Sequence, residues 1–103
     1  MAKYRFTNKA VEDLSDIWEY TINVWSERQA DVYYDMLIDC CQKITTNPRI
    51  YGSRYEEVTE GLYGYRANKH IIFYRILPND DILIIRILHQ KMDLKHHLTD
   101  GSN

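Results

Sequence analysis

The hydrophobic period of this 103-residue chain changes near residue 61, and that change limits the folds open to it. Before residue 61, apolar residues recur at spacings of three and four, as they do on one face of an amphipathic helix. After it, they alternate with polar residues or run together, as they do in half-buried and central strands. A chain of this length forms one domain with one core. The sequence therefore predicts an α+β fold in which helices cover one face of a sheet.

Two helices are predicted for the first half, after a short strand at residues 3–6. Thr7 is the expected N-cap of the first helix, and Glu12 and Asp13 lie near its start, where the helix dipole favours acids. The second helix begins at Ser26 to Gln29, which has the S-x-x-Q form of a capping box. So short a break predicts an antiparallel helical hairpin. The apolar faces comprise Val11, Leu14, Trp18, Ile22 and Trp25 in the first helix and Ala30, Tyr33, Leu37, Cys41 and Ile44 in the second.

Three strands are predicted for the second half, after a polar loop from Ile50 to Glu60. They comprise residues 62–66, 70–76 and 82–88, with turns at 67–69 and 78–80 between them. The predicted element order is β-α-α-β-β-β, an antiparallel sheet packed on a helical hairpin. We expect a single domain over residues 3–98 and a frayed polar tail over residues 99–103.

Composition narrows the function classes. The net charge is −2, so binding to nucleic acid through phosphates alone is disfavoured. No apolar run is long enough to span a bilayer and the first residues do not form a signal peptide, which predicts a cytoplasmic protein without membrane contact. The adjacent Cys40 and Cys41 are poorly placed to bridge one another, and no second pair exists for zinc. We expect neither metal nor cofactor, and cysteines that act as small buried residues of the second helix.

The end of the last predicted strand carries an ordered run of polar groups. Arg86 lies within the strand, and His89, Gln90, Lys91, Met92 and Asp93 follow it. A strand needs only apolar and turn residues, whereas polar groups at the end of a rigid sheet are where small proteins place contacts to a target. Arg86 alternates with apolar neighbours, so a structural ion pair and a target contact both remain open for it. His89 could equally serve only to fix the turn.

Four local matches make the chain resemble the ParE branch of the RelE/ParE toxins. The resemblance covers residues 3–98, and the closing motif is its most specific part. The matching segments are Tyr4–Thr7 with Ala10; Asp13-Leu14 with Ile17, Trp18, Tyr20, Trp25, Gln29 and Ala30; Gly61 with Tyr65-Arg66 and His70–Arg75; and Ile85–Asp93.

The resemblance implies the function of a toxin from a type II toxin–antitoxin pair. Toxins of this branch poison DNA gyrase by stabilising its cleaved complex with DNA, are silenced by a ParD-like antitoxin, and are binding proteins rather than enzymes. The resemblance places gyrase binding and toxicity at the closing motif, for which we expect Arg86, His89, Gln90, Lys91, Met92 and Asp93. For the antitoxin, which would fill an apolar groove between helices and sheet, we expect Trp18, Trp25, Tyr33 and Leu37.

Two other functions remain open. The sister RelE branch cleaves mRNA on the ribosome, and Arg66, Arg86 and His89 could together form a crude acid–base site. The negative net charge, the acidic loop around Glu56 and Glu57, and the absence of a tyrosine near the chain end argue against it. A toxin relative that has lost activity and only binds its antitoxin would share the whole fold.

Overall fold

The computed structural model describes residues 2–99, which form a sheet with helices on one face and a short helix and a loop on the other. The α+β class, the helical hairpin and the four predicted strands are confirmed. The predicted frayed tail lies outside the described residues, apart from Thr99, which ends the last helix. The elements are β1 Tyr4–Phe6, α1 Asn8–Val24, α2 Glu27–Thr46, α3 Pro48–Tyr51, β2 Ser53–Arg54, β3 Tyr63–Ala67, β4 His70–Ile76, β5 Ile82–His89 and α4 Leu94–Thr99.

The five strands lie in the order β1-β5-β4-β3-β2. As predicted, β3, β4 and β5 form an antiparallel meander. The expectation of a wholly antiparallel sheet is wrong at one edge, where β1 runs parallel to β5 from Tyr4 opposite Ile82 to Phe6 opposite Ile84. No local turn joins these two strands, so their relative direction is set by tertiary packing and leaves no signal in the sequence.

The hairpin of α1 and α2 packs its apolar stripe on one face of the sheet. The stripe predicted for α2 is confirmed, with Tyr33 only partly buried. The buried face of α1 is rotated about the helix axis relative to the predicted one. Val11 and Trp25 are 49% and 70% exposed, while Ile17 packs against the core. Ala10 is fully buried against the sheet, so its neighbour Val11, about 100° further round the helix, lies on the outer side. The residues buried between hairpin and sheet include Ala10, Leu14, Leu37, Cys41, Ile44, Ile72, Tyr74, Ile82, Ile84 and Ile87.

The opposite face of the sheet has its own smaller apolar cluster. Leu62, Ile71, Phe73 and Leu88 are buried there, under the segment between β2 and β3 and under α4. The predicted loop at 50–60 contains part of α3 and the two-residue strand β2, and α4 was not predicted. Leu94 and Leu98 of α4 pack against this cluster, so the end of the described chain is part of the fold.

Both predicted N-cap hydroxyls are in place, but the capping box at Ser26 is only half formed, because the Ser26 N–H donates to the Thr21 carbonyl at 3.2 Å and not to the Gln29 side chain. The Thr7 hydroxyl accepts the backbone N–H of Ala10 at 3.1 Å, and the Ser26 hydroxyl accepts that of Gln29 at 3.0 Å. Glu12 and Asp13 lie beyond the first turn of α1, so the predicted interaction with the helix dipole is wrong.

Cys41 is buried and Cys40 is partly buried on α2, and both are free thiols. Among residues 2–99 no three His, Cys, Asp or Glu side chains are grouped so as to hold a metal ion. No helix in the same range is both long and apolar enough to cross a membrane.

Candidate functional site

Arg86 is held inside the fold by a carboxylate of α1. Its Nε and Nη2 donate to the two oxygens of Asp13 at 2.8 and 3.0 Å, and the side chains are only 13% and 11% exposed. The backbone N–H of Ile87 donates to the same carboxylate at 2.9 Å. Because β1 ends at Phe6, the outer edge of β5 beyond Ile84 has no strand partner among residues 2–99, and Asp13 accepts the Ile87 N–H there instead. A bidentate, charge-assisted pair of this kind fixes helix to sheet.

A β-bulge directs Arg86 towards that edge. Phe73 pairs with Arg86 while the next residue, Tyr74, pairs with Ile84, so Ile85 is the extra residue. Arg86 Nη1 also donates to the carbonyl of His97 in α4 at 3.4 Å. Of the two roles considered for Arg86, the structure shows the structural ion pair. The expectation that Arg86 contacts a target is corrected, because its guanidinium faces inward and connects β5 to α1 and α4.

The rest of the closing motif forms a surface turn between β5 and α4, which we call the closing turn, residues His89–Asp93. The N–H of Met92 donates to the His89 carbonyl at 2.9 Å, and the N–H of Lys91 donates to His89 Nδ1 at 3.2 Å. The N–H of Gln90 donates to the Lys69 carbonyl in the β3–β4 turn at 2.9 Å. Lys91, Met92 and Asp93 are exposed. A turn fixed by these bonds displays a cation, a thioether and a carboxylate in a defined arrangement.

A cavity of about 420 Å³ lies beside the closing turn, at the tip of the helical hairpin. We call it the hairpin-tip cavity. It is bounded by the end of α1, the start of α2, the β3–β4 turn and the end of β5. Trp25 and Tyr20, which are 70% and 64% exposed, form part of its rim. Its lining comprises Tyr20, Thr21, Val24, Trp25, Gln29, Tyr33, Asn68, Lys69, His70 and His89.

A pair of histidines and a tyrosine form the inner wall of this cavity. Tyr33 Oη and His70 Nδ1 share a hydrogen bond of 2.6 Å, and the His70 and His89 rings meet edge to face with centroids 5.4 Å apart. Burial, with a further contribution from His89, lowers the pKa of His70 to about 4. Burial also raises the pKa of Tyr33. His70 is therefore neutral at physiological pH and acts as a fixed structural wall.

A second groove runs along the outer side of the hairpin, between α1 and α2. This outer groove has a volume of about 550 Å³, and the rings of Trp18 and Tyr34 meet across it edge to face with centroids 6.2 Å apart. An adjoining cavity of about 420 Å³ continues along α2, and Asp35 lines both. The outer groove is lined by Val11, Leu14, Ser15, Trp18, Glu19, Asp31, Tyr34 and Asp35, and its continuation by Val32, Asp35, Met36, Asp39, Cys40, Lys43 and Tyr65.

The four residues expected to bind an antitoxin lie in three places. Trp18 lines the outer groove, whereas Trp25 and Tyr33 line the hairpin-tip cavity. Leu37 is 0% exposed, so the expectation that it contacts a partner is wrong: it is the centre of the α2 core stripe. Val11, expected on the buried face of α1, and Tyr34, absent from the four expected residues, are partner-accessible residues of the outer groove. Acidic residues spaced by four along α2, next to apolar ones, were the available signal.

The three residues considered for an mRNA nuclease are not brought together. Arg66 pairs with Ile71 and Ile71 with Leu88, which places Arg66 on the sheet face away from the hairpin. His89 pairs with His70, whose side chain bonds Tyr33 of α2, so His89 belongs to the hairpin face. Arg86 is engaged by Asp13.

Sequence comparisons agree with this architecture. Residues 4–94 match the model for the ParE toxin of the type II toxin–antitoxin system parDE. Toxin ParE1 of Mycobacterium tuberculosis strain H37Rv is 32% identical over 97 residues, covering 94% of this chain and 98% of that protein. Toxin ParE1 of Caulobacter vibrioides is 34% identical over 98 residues, covering 95% and 99% respectively.

Solved structures share the fold at lower identity. A chain from the chromosomal ParDE system of P. aeruginosa superposes with a TM-score of 0.76 at 18% identity, covering 86% of this chain and 96% of that one. A chain of the RelBE2 toxin–antitoxin complex from Mycobacterium tuberculosis gives a TM-score of 0.58 at 21% identity, covering 86% and 98%. With the family match over nearly the whole length, these findings show that the chain belongs to the ParE toxin family of type II toxin–antitoxin systems.

Proposed function

We propose that this protein acts on DNA gyrase, that it stabilises the cleaved gyrase–DNA complex, and that a ParD-like antitoxin neutralises it. Family membership supports the general assignment, and relatives of the same fold occur in structures described as toxin–antitoxin systems. The observation that carries the proposal is the closing turn, a hydrogen-bonded display of exposed polar and apolar groups that the core does not require.

The target surface would extend from the closing turn into the hairpin-tip cavity. His89 belongs to both, and the bond from Gln90 N–H to the Lys69 carbonyl joins their backbones. The exposed Trp25 and Tyr20 rings at the rim are of the kind that anchor protein interfaces. We therefore assign target contact to Trp25 with Lys91 and Met92, and not to Arg86.

Poisoning requires binding alone. A protein that binds the cleaved gyrase–DNA complex more tightly than the intact one shifts gyrase towards the cleaved state by that difference in affinity. No proton transfer by the toxin is needed. Arg66 and His89 lie on opposite faces of the sheet, and Asp13 engages Arg86. This arrangement supports the binding mechanism over RNA cleavage, which would need a general base and a cation at one phosphate.

A cleavage assay with purified components tests the proposal. Folded toxin is incubated with gyrase, ATP and supercoiled plasmid, and DNA is analysed after detergent and protease. We expect linear plasmid that depends on both gyrase and toxin, and its loss when antitoxin is added first. Absence of linear DNA from folded toxin would contradict the proposal. Ribosome-dependent cleavage of mRNA by the same sample would assign the nuclease function instead, and normal growth of bacteria that express the toxin alone would indicate an inactive relative.

A further inference from the structure

The hairpin-tip cavity carries positive charge that the described part of the chain does not offset. Lys69 is exposed in the β3–β4 turn, lines the cavity and takes part in no ion pair with residues 2–99. Lys91 of the adjoining closing turn is also exposed and forms no ion pair within the same range. None of the Asp and Glu side chains that the structure describes lines the cavity. An anionic partner would therefore meet attraction here and no repulsion from the wall.

Hydrogen bonds inside the fold determine which nitrogen of His70 carries the proton. Tyr33 Oη and His70 Nδ1 are 2.6 Å apart. Burial raises the pKa of Tyr33, and the nearby backbone N–H of Lys69 opposes part of this rise. Because that N–H approaches the phenol oxygen as a donor, the hydroxyl proton is directed to His70 Nδ1. The neutral His70 ring therefore carries its own proton on Nε2.

His89 is held in the same tautomer by the closing turn. Its Nδ1 accepts the backbone N–H of Lys91 at 3.2 Å, so the ring proton is on Nε2. Both histidines that line the cavity thus use Nδ1 inside the fold and keep Nε2 as a donor. A group that reaches either ring nitrogen from the cavity must accept a hydrogen bond.

We infer that the hairpin-tip cavity binds an acidic segment of gyrase, with an Asp or Glu carboxylate against Lys69 and the histidine N–H groups and an adjacent apolar side chain on Trp25. This inference rests on the proposed action on gyrase and adds the chemistry of the segment that is recognised. A carboxylate accepts hydrogen bonds and donates none, so it matches a wall of donors. Trp25 is 70% exposed at the rim, where an aromatic ring can anchor a protein partner.

Charge and its distribution favour a protein carboxylate over a DNA phosphate at this site. Proteins that hold DNA by its backbone neutralise several phosphates with a row of cations. Here the cavity and the closing turn supply Lys69 and Lys91, on a chain whose net charge is −2. A metal ion is disfavoured by the histidine tautomers, because an imidazole binds a metal through a nitrogen that carries no proton, and both Nδ1 atoms are already engaged.

Charge reversal at Lys69 tests the inference in the plasmid cleavage assay. Toxin is titrated into gyrase, ATP and supercoiled plasmid, and the concentration that gives half-maximal linear DNA is measured. We expect Lys69→Glu to raise this concentration roughly 30-fold, since attraction becomes repulsion. The matched control is Arg28→Glu, an equal change of charge at an exposed residue beside Gln29 but outside the cavity lining, which should stay within about threefold.

Carbodiimide coupling identifies the group that Lys69 meets. This reagent joins a Lys amine to an Asp or Glu carboxylate with which it is in contact, and mass spectrometry locates the new amide. We expect Lys69 of the wild-type toxin to couple to one acidic segment of gyrase. Lys69→Arg keeps the charge and cannot couple, so it should lose the product while its half-maximal concentration stays within about threefold of wild type. Lys at the coupled gyrase position should restore poisoning by Lys69→Glu.

Circular dichroism and thermal melting establish that the variants fold. Equal half-maximal concentrations for Lys69→Glu and Arg28→Glu would overturn the inference while leaving gyrase poisoning intact. Loss of activity in Lys69→Glu without any gyrase peptide coupled to Lys69 would also overturn it, and would assign the contact to a DNA phosphate. Absence of linear DNA from the folded wild type would overturn the proposed function itself.

Discussion

The outer groove and the hairpin-tip cavity are both built from α1 and α2, yet they differ in charge. Of the charged side chains that the structure describes, Glu19, Asp31 and Asp35 line the outer groove and no cation does. Within the described part of the chain, the lining of the hairpin-tip cavity contains Lys69 and two histidines and no carboxylate. Both have aromatic walls, so their apolar character does not separate them. This difference in charge supports our proposal of two separate partner surfaces, the antitoxin at the outer groove, where Trp18 lies, and gyrase at the hairpin-tip cavity and closing turn.

The largest effect is expected from Asp13→Ala, which should weaken binding at the outer groove and at the hairpin-tip cavity together. Asp13→Ala would leave Arg86 buried without its carboxylate and Ile87 N–H unsatisfied, which costs roughly 3–5 kcal/mol of unfolding free energy. Because α1 contributes to both surfaces, antitoxin binding and gyrase poisoning should weaken in parallel. Urea unfolding measures the loss of stability. The exposed neighbour Glu12→Ala should change it by less than about 0.5 kcal/mol; a similar loss in both variants would contradict the structural role of Asp13.

Substitution in the closing turn should separate the two surfaces. Lys91→Ala/Met92→Ala changes two exposed side chains, so stability and antitoxin affinity should be unaffected. We expect the yield of linear plasmid from gyrase to fall by about 100-fold, if each residue contributes as an interface anchor does. Ile50→Ala, which truncates another exposed apolar residue, is the control. Unchanged linear DNA from the double variant would move the target surface elsewhere.

Truncation after Leu88 would also remove the closing turn, but it is a poorer test of the target surface. It removes Leu94 and Leu98, which pack against the second core cluster, so a loss of poisoning could result from a loss of stability.

A smaller effect is expected at the rim of the hairpin-tip cavity. Trp25 is 70% exposed, so Trp25→Ala should fold normally. Gyrase poisoning should fall about tenfold because an aromatic anchor is lost. The matched variant at the outer groove is Trp18→Ala, which should reduce antitoxin affinity and not poisoning. The reverse pattern for these two tryptophans would contradict the assignment of partners to surfaces.

The smallest expected effect is a dependence of stability on pH that originates at the cavity wall. Burial lowers the pKa of His70 from 6.5 to about 4, so the unfolded chain binds the proton more readily. The contribution to stability is complete above pH 6.5 and is lost as the pH falls towards 4. Partial exposure limits the change to roughly 1 kcal/mol between pH 7 and pH 5. Urea unfolding of His70→Gln at the two pH values should lack this part of the slope; an identical slope in both proteins would assign it to other groups.

Local patterns predicted much of the fold. The bounds of β4 agree with the prediction because its seven-residue run is rich in β-branched and aromatic residues and lies between two turns, which is typical of a central strand. On α1, apolar residues occur on two sides of the helix. The predicted face correctly included Leu14, but the sequence did not show that Ala10 faces the sheet or that Val11 and Trp18 line the groove. A six-residue helix such as α4 is not stable alone and depends on contact with the sheet.

The site was predictable only in part. The closing turn was predictable from a local signal, because the polar run after the last strand contains residues that a strand end does not require. The partner of Arg86 was not predictable, because Asp13 lies 73 residues away and only the open edge of β5 brings them together. The two cavities also form from elements distant in sequence, so Trp18 and Trp25, seven positions apart on one predicted face, line different surfaces.

One measurement tests the separation of the two surfaces most directly. Asp31→Lys/Asp35→Lys and wild-type toxin are each added to gyrase, ATP and supercoiled plasmid, with and without an equimolar amount of antitoxin, and linear DNA is quantified. We predict that both toxins produce linear DNA when alone and that the antitoxin suppresses only the wild type. Suppression of the variant to the same extent, or an inability of the folded variant to produce linear DNA when alone, would contradict the account.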